Sequence, residues 1–277
     1  MTAPATPPVL DAVQFEAPNL PPALPGLFAA TDWQNDPDMR WLNGVVIRGA
    51  NYGGGGASGI WDQPWCSLPA LFDPAAADGE PGSERKFGER PDIADRFDPA
   101  TIWAYDECDL TAPSRREVEA RAAHILTLEE QALYERVFAQ RLNDDAADVG
   151  IESFSNIKQA VAYLEGQIAK TNTMAFLHVA ADVPASTDMG MFTKSGTSRV
   201  SPSGHTWVIG GGYIGPDSLW PGLIVATSQP FGWRDAPTTR TAVDRYHNLF
   251  AAIAERSVLV GYEAVIAAAQ IIPDPTP

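Results

Sequence analysis

Apolar residues return at intervals of three and four in two parts of the chain. From Ser114 to about Asn143, Val118, Ala122, Ile125, Leu126, Leu133, Val137 and Phe138 form such a row with charges between them, the stripe of an amphipathic helix. Pro113 precedes it and Ser114-Arg115-Arg116-Glu117 has the form of a capping box, so the helix is predicted to open at Ser114 and to end at Asp144-Asp145. At ~1.5 Å per residue this rod is roughly 40 Å long, which suits a spine better than an ordinary packed helix. A second helix is predicted from Ser155 to about Thr171, with Ile157, Val161, Leu164 and Ile168 along one side.

Elsewhere the pattern is that of strands and turns. TIWAYDECDL (101–110) alternates, and MAFLHVA (174–180), TWVI (206–209) and LIVAT (223–227) are short apolar runs bounded by turn residues. Gly44-Val45-Val46-Ile47-Arg48 predicts another short strand. The closing stretch 248–272 has alanines that suit a helix, but Val258, Val260 and Tyr262 alternate, and strands are predicted for most of it. Residues 1–40 carry Pro4, Pro7, Pro8, Pro18, Pro21, Pro22, Pro25 and Pro37, which exclude a helix or central strand and predict an extended arm. Leu10, Val13, Phe15, Leu20, Leu24, Leu27 and Phe28 make this arm too apolar for a solvated tail, so it should lie along its own body or a neighbouring subunit. Between the glycine run at Gly53–Gly56 and residue 100 the sequence is charged and punctuated by glycine and proline, as expected of a long protruding loop.

The 277 residues suffice for one large domain or two intimate ones. Acidic residues number 35 against 19 basic, a net charge of -16, which argues against a dedicated reader of nucleic acid. No apolar run approaches the ~20 residues of a membrane span. The first residues, MTAPATPPVLDAVQFEAPNLPP, lack the basic start and apolar core of a signal peptide.

Chemical motifs are few. Cys66 and Cys108 are too few for a disulfide framework or a zinc site and are read as inert thiols. His124, His178, His205 and His247 are scattered, and His178, inside MAFLHVA, is read as a hydrogen-bonded structural histidine. Gly210-Gly211-Gly212-Tyr213-Ile214-Gly215 satisfies the G-x-G-x-x-G pattern after a strand, but Pro216-Asp217-Ser218-Leu219-Trp220-Pro221 follows where a dinucleotide site needs a helix. A glycine-rich turn is the better reading. Gly53–Gly56 lacks the Lys-Ser/Thr of a phosphate-binding loop, and Ser203-Gly204-His205 lacks the strand–elbow–helix context of a nucleophile. Asp106, Glu107 and Asp109 could hold a hard cation, but solvated carboxylates are the commoner arrangement. The expectation is no enzyme, with no catalytic residue, cofactor or metal assigned.

In order, the elements are an arm, a protruding loop, a spine helix, a mixed α/β body and a closing strand pair. With the local echo Asn248-Leu249-Phe250-Ala251-Ala252-Ile253-Ala254-Glu255-Arg256, then Tyr262 and Ala264-Val265-Ile266, this organisation resembles the Hong Kong 97-type major capsid protein of tailed bacteriophages. The resemblance implies an α+β fold with residues 1–40 as the N-terminal arm and 41–112 as the extended loop region. It further implies a peripheral domain of residues 113–149 and 236–277, and an axial domain of residues 150–235. The implied function is a structural shell protein that self-assembles into pentamers and hexamers of an icosahedral capsid enclosing double-stranded DNA. The implied partners are copies of itself, with separate scaffolding, portal and decoration proteins, passive contact with packaged DNA and no membrane. The implied location is the virion, assembled in the host cytoplasm. Some relatives join a loop lysine to a neighbouring asparagine; only Lys86 lies in the loop here, and no crosslink is expected. The alternatives are an encapsulin-type nanocompartment, a tail-tube or connector subunit, or a nucleotide-dependent enzyme using the Gly210–Gly215 turn.

Overall fold

The structure, a computed structural model, describes residues 15, 17–22, 26–52, 57–60, 88–90, 95–186, 189–216 and 218–272. Three helices are used below: α1 (Leu27–Ala30), α2 (Ala112–Val149) and α3 (Ile157–Thr171). The strands are β1 (Asp32–Trp33), β2 (Ala100–Asp109), β3 (Ile151–Phe154), β4 (Phe176–Ala180), β5 (Thr193–Ser195) and β6 (Ser198–Val200). They continue with β7 (Thr206–Gly210), β8 (Leu223–Thr227), β9 (Phe231–Arg234), β10 (Thr238–Asp244), β11 (Leu249–Gly261) and β12 (Val265–Ile271).

Helix α2 is the spine that the spacing predicts, but it is longer at both ends. Its cap is Thr111, whose side chain accepts the Ser114 N–H, so the expected cap at Ser114 lies inside the first turn with Pro113. Asp144-Asp145 does not end it: Asp145 pairs with Arg141 one turn earlier at 2.7 Å, and the helix runs on to Gly150, where φ is +95°. Its 38 residues give a rod of about 57 Å.

Two sheets share this helix. In the first, the path β1-β9-β11-β10 is joined by β2, which pairs antiparallel with β11 from Asp109↔Leu249 to Ala100↔Val258. Ile102, Ala104, Phe250, Ala252 and Ala254 point from this sheet into the core that holds the buried face of α2. In the second, of order β3-β12-β8-β4-β7-β6-β5, parallel and antiparallel pairs are mixed. This sheet is covered on both faces. Leu223 and Val225 of β8 face the α2 side, whereas Ile224 and Ala226 pack with Ile157, Val161, Leu164 and Ile168 of α3. The helix α3 and the strands in LIVAT, MAFLHVA, TWVI and TIWAYDECDL lie where the pattern placed them. Of residues 236–277, β10 and β11 pair in the first sheet, while β12 crosses to the second.

Two expectations change. Gly44–Arg48 is not a strand; Val45 makes one isolated bridge to Phe97, with both N···O distances 2.9 Å. The proline-rich stretch is not wholly without regular structure, since α1 forms one turn just after Pro25 and β1 adds a two-residue parallel edge to β9. Of the two placements expected for the arm, its described end takes the first, on its own body. Leu27 is fully buried, whereas Phe15 and Leu20 are exposed.

Candidate functional site

The glycine-rich turn after β7 meets α2 rather than open space. Glu135 lies on the apolar stripe of α2, between Tyr134 and Phe138, and is fully buried. Its Oε2 accepts the Gly212 N–H at 2.8 Å and its Oε1 accepts the Leu27 N–H at 2.9 Å. A methyl group on Gly212 would stand 2.0 Å from the Ala132 carbonyl oxygen, and one on Gly210 2.8 Å from Glu135 Oε2. The glycines therefore admit a helix flank, and the backbone donor that a phosphate would need is already used by a carboxylate. Burial raises the Glu135 pKa above the ordinary value, with the two N–H donors acting against that shift. Residues 211–216 and 218–222 form bends, turns and irregular backbone, so among the described residues no helix opens on the glycines. The turn is a packing device that ties the arm, the spine and the second sheet together.

His178 has the structural role expected of it. It is fully buried, with Nδ1 3.0 Å from the Tyr213 hydroxyl and Nε2 2.9 Å from Thr227 Oγ1. Thr227 donates its own proton to the Ser228 carbonyl at 2.9 Å, so it must accept from His178 Nε2–H, and Nδ1 in turn accepts from Tyr213. Desolvation lowers the imidazole pKa to about 3, which keeps the ring neutral.

The acidic cluster disperses. Asp106 pairs with Arg121 of α2 at 3.1 Å, Glu107 accepts the Tyr105 hydroxyl, and Asp109 accepts the Thr111 N–H at 2.8 Å. Successive strand residues point to opposite faces, so Asp106 is separated from the other two. Among the described residues, no three His, Cys, Asp or Glu side chains come together as a metal site. The Ser203 N–H donates to Glu165 at 2.8 Å and His205 Nδ1 accepts the Ala175 N–H at 3.4 Å, an arrangement of turn contacts. Cys108 is free and exposed; Cys66, Lys86 and Gly53–Gly56 lie outside the described residues. No described helix is long and apolar enough to cross a membrane.

The most conspicuous surface was not anticipated from the sequence. On the face of β2, β11 and β10 turned away from α2, Trp103 is 61% exposed, Tyr105 43% and Ile253 38%, with Tyr105 directly opposite Ile253. At the β10–β11 turn Tyr246 is 98% exposed, on a loop held by Asp244, which accepts the Tyr246 N–H at 2.9 Å and approaches His247 Nδ1 at 2.7 Å. Large side chains on the outer positions of β2 were a readable signal, but which face is outer depends on where α2 packs. These exposed side chains, set beside the Arg240–Glu255 pair, make this face a candidate contact surface.

No protein-family model matches the sequence, and no curated protein is significantly similar to it. Among solved structures, a chain of Microbacterium phage Oxtober96 superposes over 95% of this chain and 96% of its own, with TM-score 0.52 and 10% identity. The fold is the Hong Kong 97-type fold. An encapsulin complex of Synechococcus elongatus covers 67% and 81% of the two chains at TM-score 0.45 and 10% identity. The mature capsid of bacteriophage PhiM1 covers 79% and 91% at TM-score 0.41 and 10% identity. At such identity the likeness is one of fold.

Proposed function

We propose that this chain is a structural shell protein whose copies assemble into pentamers and hexamers of an icosahedral phage capsid around double-stranded DNA. The observation that carries the reading is the match of fold along nearly the whole length of a phage chain, 95% of one and 96% of the other. The exposed Trp103, Tyr105 and Ile253 support it, since assembly would cover them. The net charge of -16 is compatible with a container whose lining has no affinity for its genome. On this reading residues 1–40 are the arm, 41–112 the extended loop region, 113–149 with 236–277 the peripheral domain, and 150–235 the axial domain. The protein is not an enzyme and acts in the virion, with scaffolding, portal and decoration proteins as separate partners.

Sedimentation and negative-stain microscopy of the expressed protein test this reading. Closed shells or rings of five and six subunits are expected; a stable monomer across the micromolar range overturns it. Shells isolated from the native source with protein cargo instead of double-stranded DNA overturn the phage reading in favour of a nanocompartment.

A further inference from the structure

Among the described residues, β10 and β2 each pair with β11 alone, so the backbone N–H and C=O groups on their far sides meet no other strand. Such an edge is a template for a further strand. Proteins blunt it with proline, a bulge, a charge turned inward or a very short strand. β10 has none of these. It runs for seven residues, Thr238–Asp244, in unbroken register with β11, and all of them are exposed. Thr239, Thr241 and Val243, which suit a strand, stand opposite Ala254, Ala252 and Phe250 on the α2 side. Thr238, Arg240, Ala242 and Asp244 stand on the outer side with Ile253. β2 differs, since Asp106 turns toward Arg121 of α2, and Asp106, Glu107 and Asp109 are balanced by no basic residue within the strand.

The charges on β10 complement themselves. A two-fold axis normal to the sheet keeps the outer side of one copy outer in the next, so in an antiparallel pair of β10 strands even positions meet even positions. With the axis at Ala242, Arg240 of each copy lies directly opposite Asp244 of the other, and Thr241 opposite Val243. An axis at Thr241 or Val243 sets Arg240 against Ala242 or Tyr246, and an axis at Arg240 or Asp244 sets like charge against like. Glu255 takes Nε of Arg240 at 2.9 Å, and the exposed guanidinium has further N–H groups to offer. Hydrogen bonds from the His247 side chain and from the backbone of the turn hold the Asp244 carboxyl below its ordinary pKa, so it is a standing negative charge. Past the strand, the exposed Tyr246 falls opposite Thr238 of the second copy.

We propose that the free edge of β10 pairs with the same edge of a second copy of this chain, antiparallel about a two-fold axis at Ala242, with Arg240 of each copy against Asp244 of the other. Backbone hydrogen bonds supply the attraction, and the crossed ion pairs set the register. The contact is isologous, unlike the head-to-tail contacts that close a ring of five or six, and it does not rest on the shell reading. It places Trp103, Tyr105 and Ile253 of both copies on one side of a continuous sheet.

The test uses the full-length chain carrying Cys66→Ser and Cys108→Ser, so that an added thiol is the only one. Ala242→Cys puts that thiol on the axis, where the two Cα atoms stand about 4.5–5.5 Å apart, within disulfide reach. Thr238→Cys is the control, because its two copies lie on opposite sides of the axis, roughly 27 Å apart. Under diamide oxidation at micromolar protein, Ala242→Cys is expected to form linked dimers about tenfold faster than Thr238→Cys or more. Adding Arg240→Asp, which turns each ion pair into a repulsion, should slow that linking by about tenfold or more, whereas Arg240→Lys should leave it within about threefold. Equal linking by the two cysteine variants, or linking by Ala242→Cys that Arg240→Asp leaves unchanged, overturns the proposal. Shells that form without linking at residue 242 overturn this contact and leave the shell reading standing. Linked dimers from a chain that forms no shells do the reverse.

Discussion

Arg256 of β11 reaches across to Glu130 of α2, with Nη1 3.0 Å from Oε2 and only 14% of either side chain exposed. Its Nε also donates to the Asp235 carbonyl at 3.0 Å, so one guanidinium joins the spine, the long strand and the segment leading into β10. A largely desolvated pair contributes more than a surface pair, and losing one partner leaves the other poorly solvated. Arg256→Met is therefore expected to cost about 2–3 kcal/mol in urea unfolding, and Glu130→Gln about 1–2 kcal/mol. A double-mutant cycle should give a coupling of at least about 1 kcal/mol. Additive effects would mean that the bond to Asp235 carries the stabilisation.

Glu135 and Gly212 make a second joint, and its two sides can be tested separately. Glu135→Ala leaves the buried N–H groups of Leu27 and Gly212 without acceptors, for an expected loss of about 2–4 kcal/mol. Gly212→Ala places a methyl 2.0 Å from the Ala132 carbonyl oxygen, a backbone atom that cannot swing aside, and is expected to cost at least about 2 kcal/mol. Gly211→Ala meets nothing within 4 Å and should stay within about 0.5 kcal/mol of the wild type. Equal losses at the two glycines would contradict the packing account of the turn.

These joints show what the sequence makes legible. The helix stripe and the alternating runs depend on local spacing, so α2, α3 and the strands in TIWAYDECDL, MAFLHVA, TWVI and LIVAT are readable. The run from Asn248 to Arg256 carried the family resemblance, and its residues divide by physical task. Asn248 takes the left-handed conformation at the β10–β11 turn, Glu255 pairs outward with Arg240 at 2.9 Å, and Arg256 turns inward to Glu130. Other features depend on contacts remote in sequence. Gly210–Gly215 has a motif's spelling because α2 presses on Gly210 and Gly212 while Gly215 takes a φ of +130°, and Glu135 stands on an apolar stripe where a lone acid signals a buried acceptor. Asp144-Asp145 looks like a helix end until Tyr262, 117 positions away, is seen to occupy one carboxylate.

His178 makes the fold sensitive to acid. Its pKa is lowered to about 3 in the folded chain against an ordinary value near 6.5, so below pH 6.5 the unfolded chain takes up a proton that the folded chain refuses. The stabilising contribution is complete above pH 6.5 and is lost as pH falls toward 3, at a slope approaching about 1.4 kcal/mol per pH unit. Denaturant titrations of wild type and His178→Gln at several pH values measure this term as a difference. The gap between the two curves should narrow on acidification, and a constant gap would sink the assignment.

The outer face of the first sheet separates assembly from folding. Trp103 and Ile253 contribute to no part of the α2 core, since their neighbours Ile102, Ala252 and Ala254 are the residues that turn inward. Charged replacements there, Trp103→Glu and Ile253→Asp, are expected to change subunit stability by less than about 1 kcal/mol. If the face is covered when copies meet, each replacement must also desolvate a charge at the contact, and assembly should weaken by about tenfold or more per substitution. Sedimentation velocity over a concentration series, read beside thermal unfolding of the same samples, distinguishes the two effects. Normal assembly by both variants would show that this apolar face stays in solvent and that the copies join elsewhere.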